Sequence, residues 1–277
     1  DRQQGTHLGV GRICGLFGCS RQSYYQSQRA RAFRAEQDEA VVGMVQSIRK
    51  RMPKLGTRKL YALLHEKFMV SGIKLGRDKF FTVLREHELL VKPKKRYVQT
   101  TNSKHWLRKY PNLIRGMQLV RKDQLWVSDI TYVRTEQGFC YLSMITDAYS
   151  RKIVGSAVSN SLSTEVCSSA LAEALLGRTG TERLIHHSDR GLQYCSKEYV
   201  GMLERNGIEI SMTDNGDPYE NALAERMNRT IKEEFLGEAR FMDQWVLEKV
   251  SQESITIYNK ERPHLKLGMR TPDQVHR

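Results

Sequence analysis

Between residues 125 and 159 the hydrophobic positions fall in strand-like runs. "LWVSDITYV" (125–133), "FCYLSMITDAYS" (139–150) and "KIVGSAVS" (152–159) are three β-rich runs joined by short connections, which predicts an antiparallel meander. "TEVCSSALAEALLG" (164–177) opens on a threonine cap and stops at glycine, as a helix does. "RLIHHSD" reads as a fourth strand, "SKEYVGMLERNG" (196–207) as a helix and "IEISMT" (208–213) as a fifth strand. Two further helices follow, "ENALAERMNRTIKEEF" (220–235) and "FMDQWVLEKVSQESITIYNKER" (241–262). That order predicts an α/β domain around a five-stranded mixed sheet.

The front of the chain has the helical period. "VGRICGLFGCSRQSYYQ" (10–26) predicts two short helices around a Gly18-Cys19 turn, with Ser20 as N-cap of the second. In a helix-turn-helix that second helix offers its first residues to the major groove, here Arg21, Gln22 and Ser23. Thr57 caps "RKLYALLHEKF", where Leu60, Leu64 and Phe68 fall on one face; "GRDKFFTVLREHELL" follows with Phe80 and Leu84 inside. Their polar faces carry Arg58, Lys59, Lys67, Arg77 and Lys79, side chains suited to phosphates. The expected organisation is a helix-turn-helix segment (1–41), a second helical DNA-binding domain (42–91), a basic linker (92–122), a catalytic core (123–236) and a C-terminal helical extension (237–277).

Charge sharpens this division. The net charge is +14, but residues 1–122 hold 27 basic and 8 acidic side chains, while residues 123–277 hold 18 and 23. Between Lys92 and Lys122 lie 10 basic residues, Lys94, Lys95 and Arg96 among them, and no acidic one. So one-sided an excess points to a polyanion, and without an amphipathic membrane helix the polyanion is nucleic acid rather than lipid. No run approaches the roughly 20 apolar residues of a membrane span. No signal peptide is visible, and the first residue is Asp1 rather than Met. Five scattered cysteines without a CxxC pair argue for reduced thiols in a cytosolic protein. A zinc site from His7, Cys14 and Cys19 is conceivable, but small buried side chains are the simpler reading.

The acidic back half holds the candidate chemistry. Asp129 shares a strand face with Leu125, Val127, Thr131 and Val133, an expensive place for a charge unless it is paired or bound to metal. Asp189 ends the fourth strand, which would neighbour the first; with Arg190 and Gly191 behind it, it also reads as an ordinary strand-end turn. Glu225 lies on a helix whose Leu223, Met227, Ile231 and Phe235 must face the core. It clusters opposite that stripe with Arg229 and Lys232, which alone reads as a solvated salt-bridge face. Three carboxylates from two strands and a helix would suit two divalent cations acting on a phosphodiester, with Lys232 placed to hold a phosphate.

"WVSDITYV", "HHSDRGLQY" and "ENALAERMNRTIKEE" together resemble the DDE transposases of bacterial insertion sequences. More narrowly, the chain resembles the second-reading-frame enzyme of the IS3 family, a relative of retroviral integrases. Between Asp189 and Glu225 lie 35 residues, the spacing of that family, and Lys232 stands seven positions after the glutamate as the family's basic residue does. "DAYSRKIVG" and "RPHLKLGMRTPDQ" (262–274) resemble its third-strand and C-terminal signatures, whereas "HHSD" and "DNGDPYENALAE" are variants of the usual surroundings. The resemblance implies a ribonuclease H-like catalytic domain preceded by helical DNA-binding modules. It implies Asp129, Asp189 and Glu225 as catalytic ligands of two Mg²⁺ or Mn²⁺ ions, used for strand cleavage and strand transfer. His187, Arg190 and Gln193 would be neighbouring or phosphate contacts, and Gly191 would let backbone approach the scissile strand. Asp147 is read as structural, and Asp214 and Asp217 as loop acids. The implied partners are terminal inverted repeats, target DNA, further copies of the chain (at least a dimer) and an upstream-frame protein, in the bacterial cytoplasm at the nucleoid. A DNA-binding regulator and a purely hydrolytic nuclease are the rival readings.

Overall fold

The computed structural model describes residues 9–91, 106–214, 220–237 and 239–277. The chain divides into two compact units, one of residues up to 48 with 64–90, the other of 49–63 with residues from 91 onward.

The first unit is helical. Helix α1 (Val10–Leu16) turns through Gly18, at φ 65°, into α2 (Arg21–Arg49). The Ser20 hydroxyl accepts the Ser23 amide at 3.0 Å, so the cap forms as the sequence suggests. The helix it starts is not short, however. It runs 29 residues, straight through the boundary expected at 41/42, because no proline and a single glycine interrupt a stretch rich in helix formers. Val41 and Val45, one turn apart, are buried. The C-terminal half of α3 (Thr57–Val70) and α4 (Arg77–Glu86) complete the unit, with Leu64, Val83 and Leu84 buried and the Phe68 and Phe80 rings 5.7 Å apart.

The second unit is built on a five-stranded sheet in the order β3-β2-β1-β4-β5. Strands β1 (Leu125–Thr135), β2 (Gly138–Asp147) and β3 (Ile153–Ser159) form the meander. Helix α5 (Thr164–Gly177) crosses over to β4 (Leu184–Ser188), parallel to β1, and α6 (Lys197–Arg205) crosses to β5 (Ile208–Met212), parallel to β4. One sheet face packs on α5 and α6 through Trp126, Ile145, Cys167, Leu171 and Leu203. Gly155 permits the close approach there, since a Cβ at that position would overlap the Ala170 carbonyl. The other face packs on α7 (Ala222–Thr230), a π-helical turn (Ile231–Leu236) and α8 (Gln244–Glu261). The short α9 (Pro272–Val275) ends the chain.

Two expected boundaries dissolve. The C-terminal segment is no extension: Phe241, Leu247, Ile255 and Tyr258 of 237–277 join Val133, Leu142 and Met227 in one core. Nor is all of 92–122 a linker. Leu107 and Tyr110 pack on the core under α5 and α6, Ile114, Met117 and Leu119 pack beside Leu125 and Val127, and the Leu113 amide donates to Ser211 Oγ at 2.9 Å. Residues 106–122 show weak periodicity because they dock their apolar residues outside any regular helix or strand. Lys94, Lys95 and Arg96, like His7 and Asp217, lie outside the described residues. The five thiols are free, and among the described residues no helix is long and apolar enough to cross a membrane.

His186 of β4 is buried against Tyr199, whose hydroxyl lies 2.9 Å from Nε2, and burial together with His187 pushes its pKa down to about 3. The folded chain keeps this ring neutral while the unfolded chain protonates it near pH 6.5. Its contribution is therefore present above that pH and lost as the pH falls toward the folded value. Urea unfolding should show stability falling below about pH 6.5, with the decline visibly flatter in His186→Asn.

Candidate active site

The last paired residues of the parallel strands β1 and β4 are Val127 and His187. Asp129 lies two residues further along β1, and Asp189 lies two residues past His187, just beyond the end of β4, near enough for its charge to act on Asp129. This is the carboxyl end of neighbouring parallel strands, where the sheet changes to antiparallel pairing, and open α/β sheets leave a crevice at such a point. β4 stops at Ser188, while β1 continues to Thr135.

Asp129 is 8% exposed. Its Oδ2 accepts from Asn228 Nδ2 at 2.9 Å and its Oδ1 from the Ile130 amide at 2.9 Å. Burial, then the charge of Asp189 and to a smaller degree that of Glu225, nevertheless raise its pKa to about 7. The three carboxylates thus share one electrostatic neighbourhood. Asp189 Oδ1 accepts the Gly191 amide at 2.9 Å, and a Cβ on Gly191 would stand 3.0 Å from that oxygen. The glycine's immediate service is to the carboxylate, through a close approach that any side chain would crowd.

Glu225 occupies the first turn of α7. Asn221 Nδ2 donates to the Ser128 carbonyl at 3.0 Å and Asn228 to Asp129, so the helix is pinned to β1 on both sides of the glutamate. Asn221, Glu225 and Asn228 lie four and three residues apart, along one stripe. This corrects the expected cluster of Glu225 with Arg229 and Lys232 opposite the core. The two hydrogen-bonded asparagines widen the buried face beyond its apolar stripe, which leaves Glu225 half-buried at its edge and Arg229 exposed. Neither asparagine stood out in the sequence; the available signal was an amide four residues before and another three residues after a candidate glutamate.

Lys232 is not poised free for a phosphate. The π-helical turn that begins at Ile231 directs it to β1, where Nζ donates to the Tyr132 carbonyl and sits 4.1 Å from the centre of the Tyr132 ring. Burial lowers its pKa.

Several other expected phosphate contacts have protein partners. His187 Nδ1 lies 2.9 Å from Ser211 Oγ, and burial pushes the ring's pKa down to about 4. Arg190 pairs with Asp214 at 3.4 Å; Asp214 also pairs with Arg115 at 3.0 Å, and Arg115 reaches Glu220 at 3.2 Å. Gln193 Nε2 donates to the Leu162 carbonyl at 3.0 Å. Lys59 lies 3.6 Å from Glu234, which Arg262 grips at 2.7 and 2.8 Å, and burial followed by the Arg262 charge lowers the ammonium to about 8. Arg21, Gln22, Ser23, Arg58, Arg77 and Lys79 are exposed, with Arg77 3.2 Å from Asp78. Asp147, although fully buried, is held below the usual carboxylate range by His276 3.6 Å away and by hydrogen bonds from Ser150 and the Asp123 amide.

Among the described residues no three acidic, histidine or cysteine side chains already stand as a metal-holding group. Both oxygens of Asp129 and one of Asp189 accept protein N–H donors instead. The donor set nevertheless fits a hard divalent cation, being all carboxylate oxygen. A cation would also relieve the repulsion that raises Asp129. Asn228→Ala would leave a buried carboxylate oxygen without its donor. Urea unfolding should show a loss of about 1–3 kcal/mol, against a change within about 0.5 kcal/mol for Arg229→Ala on the exposed side of the same helix.

Integrase core domain models match residues 120–218 and 206–272. The chain is 36% identical over 264 residues to "Insertion element IS600 uncharacterized 31 kDa protein" of Shigella sonnei, covering 94% of this chain and 96% of that one. It is 31% identical over 278 residues to "Transposase for insertion sequence element IS629" of the same organism, covering 97% and 92%. To "Transposase InsF for insertion sequence IS3A" of Escherichia coli (strain K12) it is 31% identical over 193 residues, 69% of this chain and 67% of that one. With likeness of this extent, and an integrase core on a mixed five-stranded sheet, the chain belongs to the DDE transposases of the IS3 family, DNA polynucleotidyl transferases of ribonuclease H-like α/β fold.

Proposed function

We propose that Asp129, Asp189 and Glu225 are the catalytic carboxylates of this transposase, and that they hold two Mg²⁺ or Mn²⁺ ions. The observation that carries the reading is the placement of Asp129: a buried carboxylate that feels Asp189 from the parallel neighbour strand and Glu225 from a helix pinned to its own strand. Divalent cations bound there supply the charge that activates an attacking oxygen and stabilises the leaving one.

The chain's own residues do the positioning. Asn228 and the Ile130 amide orient Asp129, the Gly191 amide orients Asp189, and Asn221 sets the register of the helix that carries Glu225. Water serves as nucleophile for the nick at an element's end and the freed 3′-hydroxyl for strand transfer, with no covalent protein–DNA intermediate. The exposed Arg21, Gln22, Ser23, Arg58, Arg77 and Lys79, with Lys94, Lys95 and Arg96, recognise terminal inverted repeats and hold target DNA. Arg190, Gln193, Arg229 and Lys232 border the carboxylates and take phosphates there once their protein contacts exchange for DNA. Two ends must be joined, so the working form is at least a dimer, supplemented by an upstream-frame protein, in the cytoplasm at the nucleoid.

Labelled DNA bearing the element's ends should yield joined products with Mg²⁺ or Mn²⁺ and none with chelator. Asp129→Asn, Asp189→Asn and Glu225→Gln should each lower the yield by about a hundredfold or more, the worth of several kcal/mol of charge stabilisation. Cleavage without joining would favour a hydrolytic nuclease, and tight binding with neither product a regulator.

A further inference from the structure

The β1–β2 hairpin presents a surface that the carboxylates do not use. Val133, Cys140 and Leu142 point into the core shared with α7 and α8. Alternation therefore sends Tyr132, Arg134, Phe139 and Tyr141 to the opposite face, where Tyr132 pairs across the strands with Tyr141 and Arg134 with Phe139. Tyr132 is 51% and Phe139 54% exposed, and Arg134 is exposed as well. The two rings stand 5.6 Å apart and nearly perpendicular, at 89°. Lys232 comes to the edge of β1 and covers part of the Tyr132 ring at 4.1 Å.

A cross-strand aromatic pair stabilises a hairpin. That role does not require both rings to remain more than half exposed, nor two cations to stand beside them. Single exposed apolar side chains are ordinary; adjoining aromatic rings with interleaved cations have the composition of a single-stranded nucleic-acid surface, where bases stack and cations take the phosphates. The position suits such a partner. Tyr132 is three residues from Asp129, about 10 Å along an extended strand and on the other face of the sheet, so a DNA strand reaching both would pass around the edge of β1. Among the described residues, no strand pairs with that edge of β1 between Asp129 and Arg134.

We infer that Tyr132 and Phe139, with Lys232 and Arg134, form a stacking site for an unpaired nucleotide of the DNA strand processed at Asp129. The inference rests on the catalytic reading above and adds to it a place for the bases beside the cut. The partner is DNA rather than a second copy of this chain because its chemistry matches both halves of the patch: π faces for the rings and phosphates for the cations.

The test uses the full chain with chelator, so that no DNA is processed, and a short duplex with a single-stranded 3′ tail containing 2-aminopurine. Wild type should quench the probe and bind the tailed duplex more tightly than its blunt counterpart. Tyr132→Leu and Phe139→Leu should each weaken tailed binding about tenfold and abolish the quenching, while blunt-duplex affinity and the thermal midpoint stay close to wild type. Tyr132→Phe, which keeps the ring, should retain binding. Leucine variants that bind the tail as wild type does, or a wild type indifferent to the tail, would overturn the inference. So would leucine variants that dissociate a dimer in sedimentation at unchanged DNA affinity, since the face would then join copies of the chain. Metal-dependent processing by the same wild-type preparation separates the two proposals: joining without tail preference removes only the stacking site, and neither cleavage nor joining removes the catalytic reading beneath it.

Discussion

A carboxylate set into a buried strand must be compensated, and much of the second unit is arranged around that constraint at Asp129. Among the described residues two N–H donors face it, and two further carboxylates add repulsion. In an interior of low dielectric such an imbalance is costly. It persists because the elements around it are each secured by burial elsewhere: β1 by Trp126 and Val127, α7 by Ala224 and Met227, and the π-helical turn after it by Ile231. A site held so is organised for a positive charge before that charge arrives, and its cost is carried by the apolar core.

The same logic sorts the cations. A strongly basic chain invites the reading that each lysine and arginine of a suspected DNA surface contacts phosphate. Lys59 instead lies beside Glu234 with the buried Arg262, Arg190 pairs with Asp214, and Lys232 rests on Tyr132. Arg21, Arg58 and Lys79 remain exposed. Burial costs a cation its hydration, so those drawn under neighbouring chain acquire partners, and the exposed ones keep their charge for solution.

The sheet was legible in the sequence because alternation and the crossover helices leave few other arrangements, and Asp129 stood out as a charge in an apolar strand. Three features were not. The reach of α2 was hidden because its surface-rich sequence has no strong apolar stripe, and helix formers without a breaker simply continue. The docking of residues 106–122 was hidden because a segment without regular structure has no period to detect. Asn221 and Asn228 were hidden because an amide on a helix is ordinarily a surface residue; only the register of β1 beneath α7 makes these two the pins of the glutamate between them.

That Asp129, Asp189 and Glu225 together hold divalent cations, as proposed, is tested most directly by iron-directed cleavage of the polypeptide. Fe²⁺ bound in place of Mg²⁺, with ascorbate and peroxide, cuts backbone close to where it is bound. The account predicts cuts in three separate segments, around residues 129, 189 and 225, all suppressed together by excess Mg²⁺ and lost together in Asp129→Asn. Cuts in one segment alone, or cuts at all three that Mg²⁺ does not suppress, would contradict it.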